Sequence, residues 1–344
     1  MLVLERGRTG AEATGAAGGM LSPLGESAGP GVGLRLGLDS LALWVEYAAA
    51  LTAESGVDLD LRLDGKLLLA LDEGAAARLR AHRGWIAEAG ERAEWLEGDA
   101  LGRREPGAAH AAAGLLLPDE GQVDNRALAR ALRVAAERAG CEVREGAEVA
   151  ALLTRGGAVA GVRLADGARL GADRVILAAG AWSGALAGLP RPLPVRPVKG
   201  QMIALGSRPG AGAPVRALVE TEECYVIPRA GGSVWVGATS EEVGFTRGTS
   251  AHARAALRAA AARAVPALAS AHETEAWDGF RPGTPDGLPL LGSDPELSGL
   301  VHATGHYRNG ILLTPITARL IGSVVAGRPE PGLDGLGIAR FAAG

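Results

Sequence analysis

The stretch ATGHYRNGILLTPITARLI, residues 303–321, decides the fold prediction. It follows an apolar strand, turns on Gly305 and Gly310, and continues with apolar residues at helical spacing. A strand that runs through a glycine turn into a helix is the basic unit of an α/β fold. Because a helix start offers unpaired N–H donors and positive potential, the cations His306 and Arg308 favour a site for an anionic ligand atom over a plain surface turn.

A second candidate lies upstream, in GFRPGTPDG, residues 279–287. The Pro and Gly residues around Arg281 predict a rigid loop that presents a fixed guanidinium fork to a carboxylate. The alternative is an internal ion pair between Arg281 and Asp286. Tyr225, on a predicted antiparallel strand, either offers its hydroxyl group to a pocket or is simply half-buried in the sheet.

The first residues form a third candidate region. The run LVLE, residues 2–5, has the pattern of a buried parallel strand with a carboxylate at its end. At that place Glu5 can accept both ribose hydroxyl groups of an adenosine, and a surface glutamate is the alternative. The small residues of 13–20 allow the backbone to approach a ligand closely, with a plain glycine-rich linker as the alternative.

Composition narrows the class of protein. With 344 residues, 47% of them hydrophobic, the chain is large enough for two domains. A formal net charge of −4 gives no electrostatic reason to expect nucleic acid as a partner, and no apolar run approaches the roughly 18 residues of a membrane span. Cys141 and Cys224 are the only cysteines, which predicts neither a disulfide framework nor a metal site. We therefore expect a cytoplasmic protein that is either a small-molecule enzyme or a scaffold.

Periodicity predicts alternating helices and strands, followed by an antiparallel block with a turn at Gly231 and Gly232. The predicted helices cover residues 39–54, 72–90, 124–139 and 251–265. The predicted strands cover residues 66–71, 141–144, 148–153, 158–164, 174–180, 195–205 and 223–238. This order indicates an α/β domain that is interrupted twice by a mostly antiparallel α+β domain, with a site between them. The first domain is placed in residues 1–59, 115–194 and 280–344, and the second in residues 60–114 and 195–279.

Several motifs together resemble the D-amino-acid-oxidase-like FAD-dependent oxidoreductases, with the glycine oxidases of thiamine biosynthesis as the nearest branch. They are LVLERG, TGAAGGMLSP, PVKGQM, CYVIPR, VGAT, GFRPGTPDGLPLLG and ATGHYRNGILLTPITARLI. The resemblance implies FAD as cofactor and a Rossmann-like FAD-binding domain interleaved with a substrate domain. It also implies oxidation of glycine, sarcosine or small D-amino acids to the imine and 2-oxo acid, with reduction of O2 to H2O2. A homo-oligomer and hand-off of the imine to thiazole synthase are further expectations.

The resemblance also implies residue roles. Arg281 would bind the substrate carboxylate, with Arg308 assisting and Tyr225 closing the pocket. The adenosine part of FAD would contact Glu5, Arg6 and Val149. The residues expected to approach the pyrophosphate and the flavin are Ala13, Thr14, Gly18, Gly19 and Met20. Those expected around the isoalloxazine ring are His306, Tyr307, Arg308, Asn309, Gly310, Ile311 and Leu312.

The chain departs from the family pattern at its start. The family begins with a strand and a GxGxxG helix of about 30 residues, which this sequence does not contain. An N-terminally truncated FAD-binding domain would lack the pyrophosphate anchor, so we expect weak or no FAD retention and poor solubility. Two alternatives stay open: a D-amino-acid dehydrogenase that passes electrons to a quinone, and a truncated, non-catalytic remnant.

Overall fold

The computed structural model describes residues 1–206, 214–328 and 331–341. The parts of the predicted domains in residues 207–213, 329–330 and 342–344 lie outside the described residues. The α-helices are α1 (Ala13–Ala16), α2 (Pro23–Glu26), α3 (Val32–Ser55), α4 (Glu73–Glu88), α5 (Gly98–Arg104), α6 (Asn125–Arg138), α7 (Ala251–Ala264) and α8 (Thr314–Val325). Short 3-10 helices cover Pro106–Ala108, Gly180–Ala185, Ala230–Gly232, Pro266–Ser270, Pro331–Leu333 and Ile338–Phe341.

The strands alternate with the α-helices as far as α6, and the strands that lie between α6 and α7 have no α-helix among them. The strands are β1 (Leu2–Leu4), β2 (Met20–Leu21), β3 (Lys66–Ala70), β4 (Glu94–Leu96), β5 (Ala113–Leu117), β6 (Gly121–Gln122), β7 (Glu142–Arg144), β8 (Val149–Arg155), β9 (Ala158–Leu164), β10 (Arg169–Gly171), β11 (Val175–Leu177), β12 (Arg196–Gly206), β13 (Leu218–Glu220), β14 (Tyr225–Pro228), β15 (Val234–Gly237), β16 (His272–Gly283), β17 (Leu290–Ser293) and β18 (Leu300–Thr304). Helices and strands are both abundant, so the predicted mixed α/β class is confirmed.

One large mixed sheet has eight strands, in the order β16-β12-β15-β14-β13-β3-β5-β4. Only β13 and β3 run parallel, and every other neighbouring pair is antiparallel. One face packs against α7, where Leu257, Ala261 and Ala264 are buried among side chains of the sheet. The predicted domain boundaries at residues 114 and 279 fall inside β5 and β16. Boundaries after β5 and β16 would assign each of these strands to a single domain. The division into two domains itself stays a prediction.

The remaining strands form smaller sheets. β1 pairs in parallel with β7, β11 pairs in parallel with β18, and β17 lies antiparallel on the other side of β18. β8, β9 and β10 form an antiparallel meander, and β2 pairs with β6. Helices α3, α6 and α8 share one core here, in which Trp44, Leu128 and Leu320 are fully buried. The predicted parallel strand at residues 2–5 is confirmed for Leu2–Leu4, but its predicted burial is wrong, because β1 lies in a two-stranded sheet and Leu2 is 37% exposed.

The helix predictions are correct except for one start. The predicted starts at Asp72 and Asp124 are confirmed, because each carboxylate accepts a backbone hydrogen bond from the first turn of α4 or α6. The prediction for α3 is wrong, because this helix begins at Val32 rather than at Asp39. Its first turns bury Leu34 and Leu36, so tertiary packing extends the helix past the expected cap. In the described part of the chain, no helix is both long enough and apolar enough to cross a bilayer.

Candidate functional site

A cavity of about 490 Å³ lies between the eight-stranded sheet and segments that are outside this sheet. Strands β12, β14 and β16 of the large sheet contribute side chains on one side. The segment 13–20, the turn 303–311 and helix α8 line most of the rest. The volume falls within the range of about 300–1,000 Å³ that is typical of small-molecule sites. This cavity is therefore the candidate active site.

Arg281 lines the cavity from β16, where it lies opposite Val198 of β12. The prediction of a rigid loop is wrong: β16 is an edge strand of the sheet, which is where Pro and Gly are tolerated within a strand. The Nη1 group donates a hydrogen bond to the carbonyl oxygen of Thr239 at 3.1 Å. The guanidinium lies over Gly200, where a Cβ atom would come within 2.7 Å of it. The strand pairing thus fixes the fork at the cavity.

The alternative ion pair of Arg281 is not formed. Asp286 instead binds Arg340, whose Nε donates to a carboxylate oxygen at 2.7 Å. The pKa of the Asp286 carboxyl is held below its ordinary value against the opposing effect of burial, chiefly by this hydrogen bond. Asp286 therefore has a different cationic partner, and the hydrogen bonds of the Arg281 guanidinium within the described residues go to backbone carbonyl oxygens.

Tyr225 is buried at the centre of the sheet wall, with 8% of its surface exposed. Its hydroxyl oxygen lies 3.5 Å from Sδ of Met202, another cavity residue. A Cβ atom at Gly237 would be only 2.5 Å from this hydroxyl, so the neighbouring strand must carry glycine there. Burial raises the pKa of Tyr225, which keeps its hydroxyl protonated and able to donate a hydrogen bond.

Arg308 forms a two-pronged ion pair with Glu26 in the cavity wall. The Nε atom lies 2.7 Å from Oε2, and Nη2 lies 3.2 Å from Oε1. Attraction to Glu26 raises the pKa of Arg308. The sequence reasoning missed Glu26, which ends α2, although it is the first carboxylate after the motif TGAAGGMLSP. Among the described residues, Arg308 therefore has a carboxylate partner in the cavity wall, whereas Arg281 has none.

The turn after β18 is held in an unusual backbone shape. Gly305 has φ +75°, and a Cβ atom there would lie 2.7 Å from Thr284. Tyr307 also has positive φ, and its N–H donates to the carbonyl oxygen of Pro282 at 3.0 Å, which ties the turn to β16 beside Arg281. Burial lowers the pKa of His306 to about 4. The expectation of a second cation at His306 is therefore wrong, because this imidazole is neutral at pH 7.

The cavity offers backbone donors as well as side chains. Within the described residues, the N–H groups of Gly310 and Ile311 donate to no protein oxygen, whereas the N–H of Leu313 closes a helical turn at 2.8 Å. Across the cavity, Gly19 has φ +77°, and a Cβ atom there would lie 2.1 Å from the carbonyl oxygen of Val123. Small residues and free N–H groups at a helix start suit a flat ring with carbonyl acceptors, so these residues fit the isoalloxazine of FAD.

Most residues predicted to bind the cofactor line the cavity, but four do not. Glu5 instead accepts a hydrogen bond at 2.7 Å from the backbone N–H two residues further on, and Arg6 stacks on Trp182, 3.5 Å from the ring centre. Val149 starts β8, and Leu312 is buried with its carbonyl oxygen bound to α3. The residues predicted to bind the cofactor that line the cavity are Ala13, Thr14, Gly18, Gly19, Met20, His306, Tyr307, Arg308, Asn309, Gly310 and Ile311. Their roles toward a cofactor stay predictions.

Comparison with known proteins settles the family. The model of the FAD dependent oxidoreductase family (DAO) matches residues 1–323. The chain belongs to the DAO family of FAD-dependent oxidoreductases. FAD is therefore its cofactor, and the resemblance derived from the motifs is confirmed.

Individual members of the DAO family are similar over almost the whole chain. The glycine oxidase of Geobacillus kaustophilus is 38% identical over 341 residues, which covers 96% of this chain and 88% of that protein. Its crystal structure superposes with a TM-score of 0.91 and covers 99% of this chain and 92% of that one. The bifunctional protein ThiO/ThiG of Nostoc is 38% identical over 318 residues, or 92% of this chain. The chain spans only 47% of that bifunctional protein.

Proposed function

We propose that the chain oxidises glycine, and after it sarcosine and small D-amino acids, to the imine. For glycine the balanced reaction consumes one O2 and one water and yields glyoxylate, ammonia and H2O2. The observation that carries the proposal is the convergence of Arg281, Tyr225 and the Arg308–Glu26 pair in one cavity with the turn 303–311. Similarity to a glycine oxidase over 96% of the chain supports the choice of substrate.

The arginines explain how an α-amino acid would be oriented. A guanidinium presents two parallel N–H groups that match the two oxygens of a carboxylate, and Arg281 is fixed for this by Thr239 and Gly200. A carboxylate held there directs its α-carbon toward the turn 303–311, where the isoalloxazine would lie. Bound FAD supplies the two-electron acceptor. Such fixed orientation accounts for a large part of the rate enhancement in this kind of reaction.

The cavity wall provides neutral hydrogen-bonding groups beside the arginines. His306 is neutral because burial lowers its pKa to about 4, and its Nε2 lies 3.0 Å from Oγ1 of Thr317. The hydroxyl of Tyr225 also stays protonated, because burial raises its pKa. At neutral pH neither group is basic enough to take a proton from an ammonium group, so we infer that the substrate amine enters without its extra proton.

Turnover assays test the proposal directly. The purified chain, supplemented with FAD, is mixed with glycine, sarcosine or D-alanine, and O2 consumption, H2O2 and glyoxylate are measured. We expect H2O2 and glyoxylate in equal amounts from glycine, and no product from L-alanine. Turnover with a quinone but without H2O2 would favour the dehydrogenase alternative. No turnover with either acceptor, despite bound FAD, would overturn the proposal in favour of a non-catalytic remnant.

A role in thiamine biosynthesis is a second part of the proposal. It rests on the relatives named ThiO/ThiG, in which the part that matches this chain is joined to a further part. We propose that the imine is passed to a thiazole synthase before it hydrolyses. Adding a thiazole synthase to the glycine reaction should lower the yield of free glyoxylate at constant H2O2, and an unchanged yield would contradict the hand-off. A homo-oligomeric state and a cytoplasmic location stay predictions.

A further inference from the structure

Arg229 is a buried cation directly after β14, the strand that carries Tyr225. Only 9% of its surface is exposed, and a buried guanidinium group is costly unless it is paired and hydrogen-bonded. Lys66, which is also buried, meets this condition with carboxylates, since its Nζ lies 2.6 Å from Oε2 of Glu220 and 3.9 Å from Oε1 of Glu26. Within the described residues, Arg229 has no carboxylate at ion-pair distance, and burial lowers its pKa only to about 10. It therefore stays charged at neutral pH without an ionic partner.

The guanidinium of Arg229 instead binds carbonyl oxygens of two separate segments. Its Nη2 donates to the carbonyl oxygen of Gly18 at 2.5 Å, and its Nη1 donates to that of Val123 at 3.1 Å. Nη2 also donates to Oδ1 of Asn125, at the start of α6, at 3.3 Å. The ring of Trp235 on β15 covers the guanidinium, with Cζ 4.2 Å from the ring centre, which is a cation–π contact. One planar group therefore joins a cavity segment to the large sheet and to α6.

Other side chains bind the same cavity segment, residues 13–20, in the same way. Four of its carbonyl oxygens accept hydrogen bonds from side chains that are not among those lining the cavity. The carbonyl oxygens are those of Thr14, Gly15, Ala16 and Gly18, and the donors are Asn125, Arg126, Trp277 and Arg229. The negative ends of these peptide dipoles thus face away from the cavity. Arg229 is the donor that acts on Gly18, next to Gly19 with its positive φ.

The hydrogen bond to Gly18 fixes the direction of the peptide group that joins Gly18 and Gly19. This peptide is trans, so its N–H points opposite to its carbonyl and away from Arg229. Among the described residues, the Gly19 N–H donates to no protein oxygen, whereas the Gly19 carbonyl accepts a hydrogen bond from the N–H of Val123 at 2.9 Å. Both glycines line the cavity. Arg229 therefore leaves a backbone donor free for a ligand there.

We propose that Arg229 is a positioning residue for the cofactor: it holds the Gly18–Gly19 peptide with its N–H group available to the isoalloxazine. This role rests on the proposed function and on the prediction that these glycines approach the flavin. A backbone N–H stabilises electron density that builds up on a ligand, whereas a carbonyl oxygen turned to the same place would oppose it. The fixed peptide should therefore strengthen FAD binding and favour the reduced flavin over the oxidised flavin. An arginine suits this task better than a lysine, because its fork binds two carbonyl oxygens at once.

Three variants separate this role from a general loss of stability. R229M removes the charge and the fork, whereas R229K keeps the charge but offers one ammonium group in place of the fork. The matched control is R62M. Arg62 donates to the carbonyl oxygen of Pro228 at 2.7 Å, one residue before Arg229, and within the described chain its side chain has no hydrogen bond to residues 13–20.

Hydrogen–deuterium exchange of the full chain without added FAD gives a first readout that needs no cofactor. The Val123 N–H is held by the Gly19 carbonyl at 2.9 Å, so it exchanges faster when the two glycines leave their place. We expect this exchange to be about tenfold faster or more in R229M, because a charge-assisted hydrogen bond to Gly18 is lost. R62M should exchange as the parent chain does.

Titration with FAD and the reduction potential of the bound flavin give two further readouts. We expect R229M to bind FAD with a Kd that is about tenfold higher or more, with R229K between R229M and the parent chain. R62M should stay within about threefold of the parent chain, because it does not touch the segment. The potential should become more negative in R229M by about 30 mV, which corresponds to a tenfold change for a two-electron couple. A thermal melt of each variant shows whether it is folded.

The outcomes distinguish this role from the proposed function. Equal exchange, FAD affinity and potential in R229M and the parent chain overturn the role of Arg229 and leave the proposed function intact. A weaker FAD affinity that R62M shares, with an unchanged potential, indicates a merely structural role and overturns it as well. If R229M does not fold, R229K is measured against R62M by the same criteria. A parent chain that binds FAD but oxidises no amino acid refutes the proposed function alone, and a parent chain that binds no FAD refutes both.

Discussion

The two walls of the cavity are built in different ways. The large sheet presents side chains with specific chemistry, Arg281 and Tyr225, and fixes them by strand pairing. The opposite wall, at residues 13–20 and 303–311, carries Arg308 with its partner Glu26, but most of its lining residues are small, and its backbone shape depends on positive φ angles such as that of Gly19. We infer that the sheet wall recognises charge and the turn wall recognises shape. Substitutions in the two walls should therefore fail in different ways.

Removing the cavity guanidinium should have the largest effect. We expect Arg281→Ala to lower kcat/KM for glycine by about 100-fold, or about 3 kcal/mol, because the carboxylate loses a charge-assisted pair of hydrogen bonds. After addition of FAD, the flavin content should equal that of the parent chain treated in the same way, since the turn wall is unchanged. Steady-state kinetics and the flavin absorbance check both parts.

The matched control for this variant is Arg196→Ala. Arg196 lies on the neighbouring strand and pairs with Glu242 at the surface, at 2.8 Å. Its loss should change kcat/KM by less than about threefold, because exposed ion pairs contribute little. An equal loss of kcat/KM in the two variants would mean that Arg281 stabilises the fold and does not bind the substrate. It would contradict the assignment of charge recognition to the sheet wall.

A methyl group added to the turn wall should weaken the binding of the cofactor rather than the binding of the substrate. Gly19→Ala places a Cβ atom 2.1 Å from the carbonyl oxygen of Val123 at φ +77°. We expect a loss of about 2 kcal/mol in the free energy of unfolding and a lower flavin content. Gly29→Ala is the control, because a Cβ atom at Gly29 meets nothing within 4 Å. Full flavin content in Gly19→Ala would contradict recognition by shape.

Beneath the sheet wall, Glu120 should make stability depend on pH. Burial raises its pKa from 4.5 to about 7, so the folded chain holds its proton more tightly than the unfolded chain does. Its contribution to stability is therefore complete below about pH 4.5 and is lost as the pH rises through about 7. Relative to the parent chain, Glu120→Gln should gain about 2 kcal/mol in the free energy of unfolding between about pH 5 and 8.

Urea unfolding at the two pH values measures this change. Glu88→Gln, which removes an exposed carboxylate from α4, serves as control and should show no such gain. If the free energies of unfolding of Glu120→Gln and the parent chain differ by the same amount at both pH values, Glu120 ionises normally in the folded state.

The smallest effect is expected at the tyrosine. Tyr225→Phe removes a hydroxyl group whose protein contact is the sulfur of Met202 at 3.5 Å, a weak acceptor. We expect kcat/KM for glycine to fall about threefold, with no change in folding stability beyond about 1 kcal/mol. A loss as large as that of Arg281→Ala would give the hydroxyl a direct role in the reaction and would sharpen the assignment of the sheet wall.

Much of the fold can be predicted because its signals are local. The apolar run of β9 and the caps Asp72 and Asp124 act within a few residues, and the structure follows them. The early start of α3 could not be predicted in the same way, because Leu34 and Leu36 extend the helix through contacts with distant side chains.

Site residues that stand in a recognisable motif could be predicted from the sequence. Site contacts that form only when distant segments come together in the fold could not. Arg281, Arg308 and Tyr225 stand in recognisable motifs, and all three line the cavity. The pairing of Arg281 with β12 was not foreseen, because Pro and Gly in an edge strand read as a loop. Glu26 and Lys66 were missed because they meet across 40 positions of sequence, from α2 to β3.

A crystal structure of the FAD-loaded chain with bound acetate tests the central claim most directly. The account predicts the acetate oxygens within hydrogen-bonding distance of the Arg281 guanidinium, with the methyl carbon facing the isoalloxazine beside the turn 303–311. Acetate bound elsewhere, or an isoalloxazine away from this turn, would contradict it.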